Sequence, residues 1–286
     1  MASSRQVLSR SSITFRIPGF KLRFKNNYKN ATAFYGAYFV SRHEIAAMPE
    51  GPSLVILKEK IGFLKGKKIL AASGYADIDY SEIENKKITD IKTWGKHLFI
   101  CLKDINIEIH LRLFGSYLIN ERKLKINSKL RLEFATDELN FYVTDVKLVA
   151  DLSVFDWLAD VMSGDWNIAN AKKKLKQIPE TKICDALMDQ KIFSGVGNII
   201  KNELLWRAKL HPEKLIKDIS APKLTALLKD AAVFSFEFLK YKNAGTLLKH
   251  CNAYQKKICS RCKSAIVKED MGKGKRGTYY CPKCQR

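Results

Sequence analysis

Cys259, Cys262, Cys281 and Cys284 constrain this chain more than any other feature. Two Cys-x-x-Cys pairs separated by the 18 residues from Lys263 to Tyr280 have the spacing of one four-thiolate metal site. Each pair brings two sulfurs to one knuckle, and the stretch between them is long enough for a β-hairpin that returns the second pair to the metal. Disulfide pairing is the competing reading, but seven cysteines leave one unpaired and no secretory signal is visible. The 36-residue tail from Cys251 to Arg286 is too short to bury a stabilising core alone. Zinc binding, worth about 10–16 kcal/mol, supplies what is missing. We therefore expect one structural Zn2+; four thiolates leave no coordination position for reactive water.

Charge narrows the partners. Lys plus Arg number 51 against 29 acidic residues, a net +22, of which residues 1–47, with eight Lys/Arg and one Glu, hold seven and the remainder fifteen. A field of this sign favours polyanions, with affinity that falls as salt rises, without choosing among DNA, RNA and anionic membrane. The longest mostly apolar run, Ala31 to Val40, is about half of the ~20 residues a bilayer needs, so no membrane span is expected. Cys101, Cys184 and Cys251, outside the metal set, point to a reducing compartment.

The chain changes character between residues 150 and 165. Before that, short β-rich runs recur: Lys68 to Ala72, Lys87 to Thr93, His97 to Leu102, Ile105 to Ile119, Lys129 to Phe134 and Leu139 to Thr144. A helix precedes them, since Leu54, Leu57, Ile61 and Leu64 recur at helical spacing before Gly66. After Gly164, helical patterns cover Ile168 to Leu175, Lys182 to Phe193, Ile199 to Ala208 and Ala221 to Leu239. The expected class is α+β multidomain. Its parts are a basic extension (1–47), a β-rich domain (48–160), a helical domain (161–250) and the metal-bound tail (251–286).

Two short motifs carry chemistry. Met48-Pro49-Glu50-Gly51-Pro52 reads as a turn on backbone grounds alone. Within the chain the Pro49 nitrogen is a tertiary amide and inert. As an amino terminus it would be a secondary amine of pKa about 7.7–8.0, able to form iminium adducts, with Glu50 beside it to move protons. The second motif is Ser194-Gly195-Val196-Gly197-Asn198, a break between helices. Its glycines allow close backbone approach, and Asn198 opens a helix whose positive end favours an anion. A helical turn without a ligand is the plain alternative. At the tail, Lys273 to Tyr280 places cations at a hairpin tip, either solvated or gripping phosphate.

These segments, together with Asp189-Gln190, Asn202-Glu203, His211-Pro212 and Arg276-Gly-Thr-Tyr-Tyr-Cys-Pro-Lys-Cys-Gln-Arg286, resemble the formamidopyrimidine-DNA glycosylase and endonuclease VIII family from Met48 to the last residue. The resemblance implies an N-terminal β-sandwich, a helix-two-turn-helix domain and a C-terminal β-hairpin zinc finger. It further implies a monomer of base-excision repair that acts on double-stranded DNA containing oxidised bases or abasic sites. Carried over by position, Pro49 matches the nucleophile, Glu50 the catalytic acid, and Lys96, in Trp94-Gly95-Lys96-His97, a catalytic lysine in a β-turn. Asn198 and Arg276 match residues that grip phosphates beside the flipped nucleotide, and Glu203 falls at a supporting acidic position. Arg112, Leu113 and Phe114 resemble the intercalating loop that fills the vacated space; a buried strand end is the alternative for Leu113.

One departure bears on the substrate. Where formamidopyrimidine glycosylases carry Asp-Pro-Arg-Arg-Phe-Gly, this chain has Thr144-Asp145-Val146-Lys147-Leu148-Val149. That favours the endonuclease VIII branch, hence oxidised pyrimidines over 8-oxoguanine, with an 8-oxoguanine or formamidopyrimidine enzyme as the alternative. A non-catalytic binder of damaged DNA and a zinc-ribbon RNA-binding protein also stay open. Residues 1–47, rich in Ser and Arg, read either as an upstream mis-assigned start or as an organellar transit segment. We expect a cytoplasmic, nucleoid-associated protein, or an organellar one in the second case.

Overall fold

The computed structural model describes residues 49–286 and two strand segments before them, β1 (Ile13–Ile17) and β2 (Phe20–Phe24), paired antiparallel. These strands fall in a unit, residues 1–47, distinct from the unit 48–286. The expectations about Met48 and about a start or transit segment lie outside the described residues.

Helix α1 (Gly51–Ile61) carries Pro52 in its first turn, which its fixed φ suits, and the Glu50 amide donates to Ser53 Oγ at 3.3 Å. Leu54, Leu57 and Ile61 are buried on one face. The α-helix stops at Ile61, and Leu64 is reached through a 3-10 turn.

That face covers a sandwich of two four-stranded antiparallel sheets. One has the order β10-β6-β5-β4, formed by β4 (Asp90–Trp94), β5 (His97–Cys101), β6 (Asn106–His110) and β10 (Asp145–Val149). The other has the order β3-β8-β9-β7, formed by β3 (Ala71–Ser73), β7 (Ser116–Ile119), β8 (Leu130–Glu133) and β9 (Glu138–Tyr142). Alternation explains the layers. Leu98, Ile100, Ile107 and Ile109 point into the sandwich core with Leu132, Leu139 and Phe141. Phe99 and Cys101, on the opposite face of β5, are buried with Trp94 beneath Phe155 and Trp157 of the segment leading to the helices.

Two β expectations need correction. Ile105 to Ile119 is not one strand: it breaks at Leu111–Gly115 into β6 and β7, which belong to different sheets. The Gly115 amide bonds to the Leu111 carbonyl at 2.7 Å, and a Cβ on Gly115 would fall 2.0 Å from that oxygen. Lys68 to Ala72 yields only a bridge from Lys68 to Lys87 before β3 begins at Ala71.

The helical region holds α2 (Ile168–Lys176), α3 (Ile183–Ala186), α4 (Asn198–Arg207), α5 (Ala221–Asn243) and α6 (Leu247–His250). The expected helix over Lys182 to Phe193 survives only as α3. Side chains after it bond to backbone and compete with helix. Asp189 Oδ1 accepts the Lys191 amide at 2.9 Å, and Gln190 donates to the carbonyls of Met188 at 2.9 Å and Val196 at 3.0 Å while accepting from the Gly195 amide at 3.1 Å. Gln190 thus shapes the glycine turn in front of α4. The tail folds as a hairpin of β11 (Val267–Met271) and β12 (Arg276–Tyr280).

Candidate active site

Glu50 organises the site. Its buried carboxylate lies across the start of α4, accepting amides from Gly197 at 3.2 Å, Ile199 at 2.7 Å and Ile200 at 3.1 Å. A helix N-terminus leaves these donors without intrahelical partners, and its dipole favours a carboxylate. Burial nevertheless outweighs the charge of Lys96 and the three amides, so the pKa of Glu50 rises above the usual carboxylate value. A carboxyl whose pKa is raised holds its proton to higher pH, which favours a role as proton donor.

Glycines let the sandwich approach the helices this closely. Gly51 donates its amide to the Gly195 carbonyl at 2.8 Å, and a Cβ on Gly51 would lie 2.9 Å from Gly195 Cα. Gly95, at φ +55°, forms with Lys96 the two-residue turn joining β4 to β5, and a Cβ there would meet Ser194 Oγ at 2.0 Å. Lys96 is half-buried. Burial lowers its pKa, Glu50 opposes that, and Arg276 adds to it.

Helix α4 also carries the tail. Its polar residues are buried yet partnered: Asn198 Nδ2 donates to the Gly277 carbonyl at 2.9 Å, Lys201 Nζ to Thr278 Oγ1 at 2.8 Å, and Asn202 Oδ1 accepts the Tyr279 amide at 2.8 Å. Burial pushes the Lys201 pKa down to about 8. Glu203 accepts the amides of Asn252, Ala253 and Tyr254 at 2.8, 2.9 and 2.8 Å, so it anchors the chain entering the tail. Because β12 runs along α4, Arg276 is brought to the site.

A cavity of about 640 Å3 results. Pro49, Glu50, Lys96, Asn198 and Arg276 line it together with Arg112, Leu113 and Phe114, so these sequence-predicted residues converge on one space, while Glu203 lies outside it. At its mouth Phe114 is 75 % exposed and Leu113 39 %, which excludes a fully buried strand end for Leu113. Arg112 pairs with Asp145 and takes φ +51°. His110 Nδ1 accepts the Arg112 amide at 3.3 Å. Burial first, then the charges of His97 and Arg112, push the His110 pKa down to about 4, which leaves its ring neutral and able to accept.

Sequence reasoning missed other lining residues, among them Tyr75, Thr144, Met188 and Gln190. Gln190 had a signal in Asp189-Gln190 and Thr144 one in the segment Thr144 to Val149; Tyr75 and Met188 had none. The segment Thr144 to Val149 forms the end of one turn and all of β10, and Thr144 Oγ1 is buried without a partner. Asn198 Oδ1 is likewise buried without a partner beside the cavity.

In the tail the four cysteine sulfurs lie within 4.8 Å of one another, with Cys259 to Cys284 at 4.0 Å and Cys262 to Cys281 at 3.4 Å. Zn–S bonds of ~2.3 Å in a tetrahedron require sulfurs ~3.8 Å apart, so these four residues fit a metal ion. Trp206 and Ala253 are buried against them.

Two family models match the chain: the formamidopyrimidine-DNA glycosylase N-terminal domain over residues 48–151, and the formamidopyrimidine-DNA glycosylase H2TH domain over residues 159–246. The chain belongs to the formamidopyrimidine-DNA glycosylase and endonuclease VIII family. Among curated members, it is 32 % identical over 207 residues to endonuclease 8-like 3 of Mus musculus, covering 68 % of this chain and 34 % of that protein. It is 34 % identical over 194 residues to endonuclease 8-like 2 of Bos taurus, covering 63 % and 58 %. The formamidopyrimidine-DNA glycosylase of Mycoplasma genitalium is 27 % identical over 235 residues, covering 72 % and 81 %. The chain thus spans about a third of the length of the endonuclease 8-like 3 relatives. The family fold is shared with the Lactococcus lactis formamidopyrimidine-DNA glycosylase non-covalently bound to abasic-site DNA, at TM-score 0.75 and 24 % identity over 83 % of this chain and 99 % of that one.

Proposed function

We propose that this protein is a bifunctional DNA glycosylase and abasic-site lyase that removes oxidised bases, pyrimidines before 8-oxoguanine. The observation that carries the reading is the placement of Glu50 on the N-terminus of α4, beside Pro49 and Lys96 in one cavity.

With Pro49 as the amino terminus, its neutral secondary amine attacks C1′ of an extruded nucleotide and the C1′–base bond breaks. The base leaves with a proton that Glu50, whose pKa burial raises, would supply. Opening of the sugar ring gives an iminium, which acidifies the C2′ proton. Loss of that proton expels the 3′ phosphate by β-elimination, a second elimination expels the 5′ phosphate, and water frees the proline. Lys96 contributes a cation beside Glu50, and Asn198 and Arg276 are placed to hold phosphates.

Cys259, Cys262, Cys281 and Cys284 would hold a structural zinc, which supplies fold rather than chemistry. Preference for pyrimidines rests on β10: Asp145–Val149 is a regular strand paired with β6, leaving no Arg-Phe loop to contact an orphan cytosine. The expected partner is damaged duplex DNA, and the +22 charge agrees with that.

Borohydride trapping on abasic DNA tests the reading: a protein whose first residue is Pro49 should be captured covalently, and failure to trap defeats it. A second reading follows from the full chain, in which the Pro49 nitrogen is an amide. In that state the cavity binds damage without cutting.

A further inference from the structure

Tyr75 lines the cavity that holds Pro49 and Glu50, yet it is 54 % exposed. Exposed tyrosines are common on protein surfaces, but this one is held in place from several directions. Its amide and that of Ala76 both donate to the Lys129 carbonyl, at 3.2 and 2.9 Å, and Lys129 Nζ donates back to the Tyr75 carbonyl at 3.1 Å. The same Nζ stands 4.6 Å from the centroid of the Tyr75 ring. The preceding Gly74 has φ +135°, and a Cβ there would lie 2.5 Å from the Lys129 carbonyl oxygen, so only glycine lets the loop close this tightly on the start of β8. Lys67 over Phe63 at 4.8 Å shows the same pairing of a cation with an exposed ring, but that pair does not line the cavity.

We propose that Tyr75, backed by Lys129, is a stacking platform for a nucleobase that has lost its own stack when the target nucleotide leaves the helix. The proposal rests on the reading of function above. A base needs a flat, rigid π-face, and a cation on one side of the ring leaves the other for it; Lys129 also adds positive charge where a phosphate backbone must pass. The unstacked base has two sources, the extruded damaged base and its former partner on the other strand.

Affinity of the full chain separates these, measured by fluorescence anisotropy in the Glu50→Gln background so that base release is slow on the timescale of the measurement. The three duplexes carry no damage, one thymine glycol, or one tetrahydrofuran residue that lacks a base at the same position. Loss of one stacked base corresponds to roughly tenfold weaker binding. Tyr75→Ala should therefore lose about tenfold on damaged DNA and leave undamaged DNA unchanged, while Tyr75→Phe, which keeps the ring, binds as the parent does. A loss confined to thymine glycol assigns the platform to the extruded base; a loss on both damaged duplexes assigns it to the partner base. The proposal is overturned if Tyr75→Ala binds both damaged duplexes as the parent does, or if Tyr75→Phe loses as much as Tyr75→Ala. A parent protein that does not discriminate damaged from undamaged DNA defeats the functional reading, and the platform with it.

Discussion

Glu50 accepts the amide of Gly197, 147 residues away in sequence, at 3.2 Å, and a Cβ on residue 197 would stand 2.4 Å from the Glu50 Cδ. One contact therefore joins the β-sandwich to the helical region and fixes the carboxyl. The carboxylate cannot move far without giving up three amides at the start of α4.

Gly197→Ala should displace Glu50 and cost about 1–3 kcal/mol, the usual range for overpacking. We expect a lower melting temperature and base release reduced by an order of magnitude or more, with DNA affinity less affected. Wild-type rates in the alanine variant would contradict the fixed position of Glu50.

Asp160 offers a pH signature. It is almost wholly buried, and burial raises its pKa to about 6 against the opposing amides of Met162 and Gly95. A carboxyl whose folded pKa lies above its unfolded value stabilises most when protonated. Its contribution is complete below about pH 4 and is lost as pH rises through about 6. The span corresponds to the order of 3 kcal/mol. Thermal unfolding from pH 4 to 7 should show this slope in the wild type and a flatter curve in Asp160→Asn. Equal slopes would remove Asp160 as the cause.

Much of the site was legible because its chemistry lies in contiguous residues. Pro49-Glu50, the Ser194–Asn198 turn and the two cysteine pairs each declare themselves within a few positions. The residues outside that reading depend on partners distant in sequence. Strand β10 was not recognised because its pairing with β6 joins residues 145–149 to residues 106–110. Tyr75 has no periodic neighbour, and its significance comes from Lys129, 54 residues later. The helix read over Lys182 to Phe193 failed because propensity does not register the bonds of Asp189 and Gln190 to nearby backbone. Glu203, legible only as an acidic position, is explained by its three amides from residues 252–254.

Removal of metal should be felt at α4, because the tail and the helix share one set of hydrogen bonds. We expect one zinc per chain by elemental analysis. Cys281→Ser or a strong chelator should loosen the hairpin, expose Trp206, red-shift its emission and weaken DNA binding. Protein free of metal that keeps full affinity would detach the tail from the proposed DNA contact.

Base preference follows from β10. Duplexes carrying thymine glycol or dihydrouracil should be cleaved faster than 8-oxoguanine opposite cytosine, since Asp145–Val149 is committed to the sheet and carries neither the arginine nor the phenylalanine of the formamidopyrimidine branch. Competition between the substrates in one reaction gives the ratio directly. A ratio favouring 8-oxoguanine would move the protein to the other branch of its family.

The remaining prediction concerns Pro49. A protein that begins at Pro49 should form a borohydride-stable adduct with abasic DNA, because its nitrogen is then a secondary amine of pKa about 7.7–8.0. The full chain should form far less, and a glycine placed before Pro49 in the short form should suppress trapping while leaving affinity nearly unchanged, since Asn198 and Arg276 are untouched. Glu50→Gln should retain binding and slow base release, because an amide cannot deliver the proton that the departing base requires. Preformed abasic sites should suffer less from that substitution than intact damaged bases, since no base remains to be protonated. If the full chain traps as well as the short form, the nucleophile is another amine of the cavity, and Lys96, whose pKa burial lowers, is the one placed to take that part.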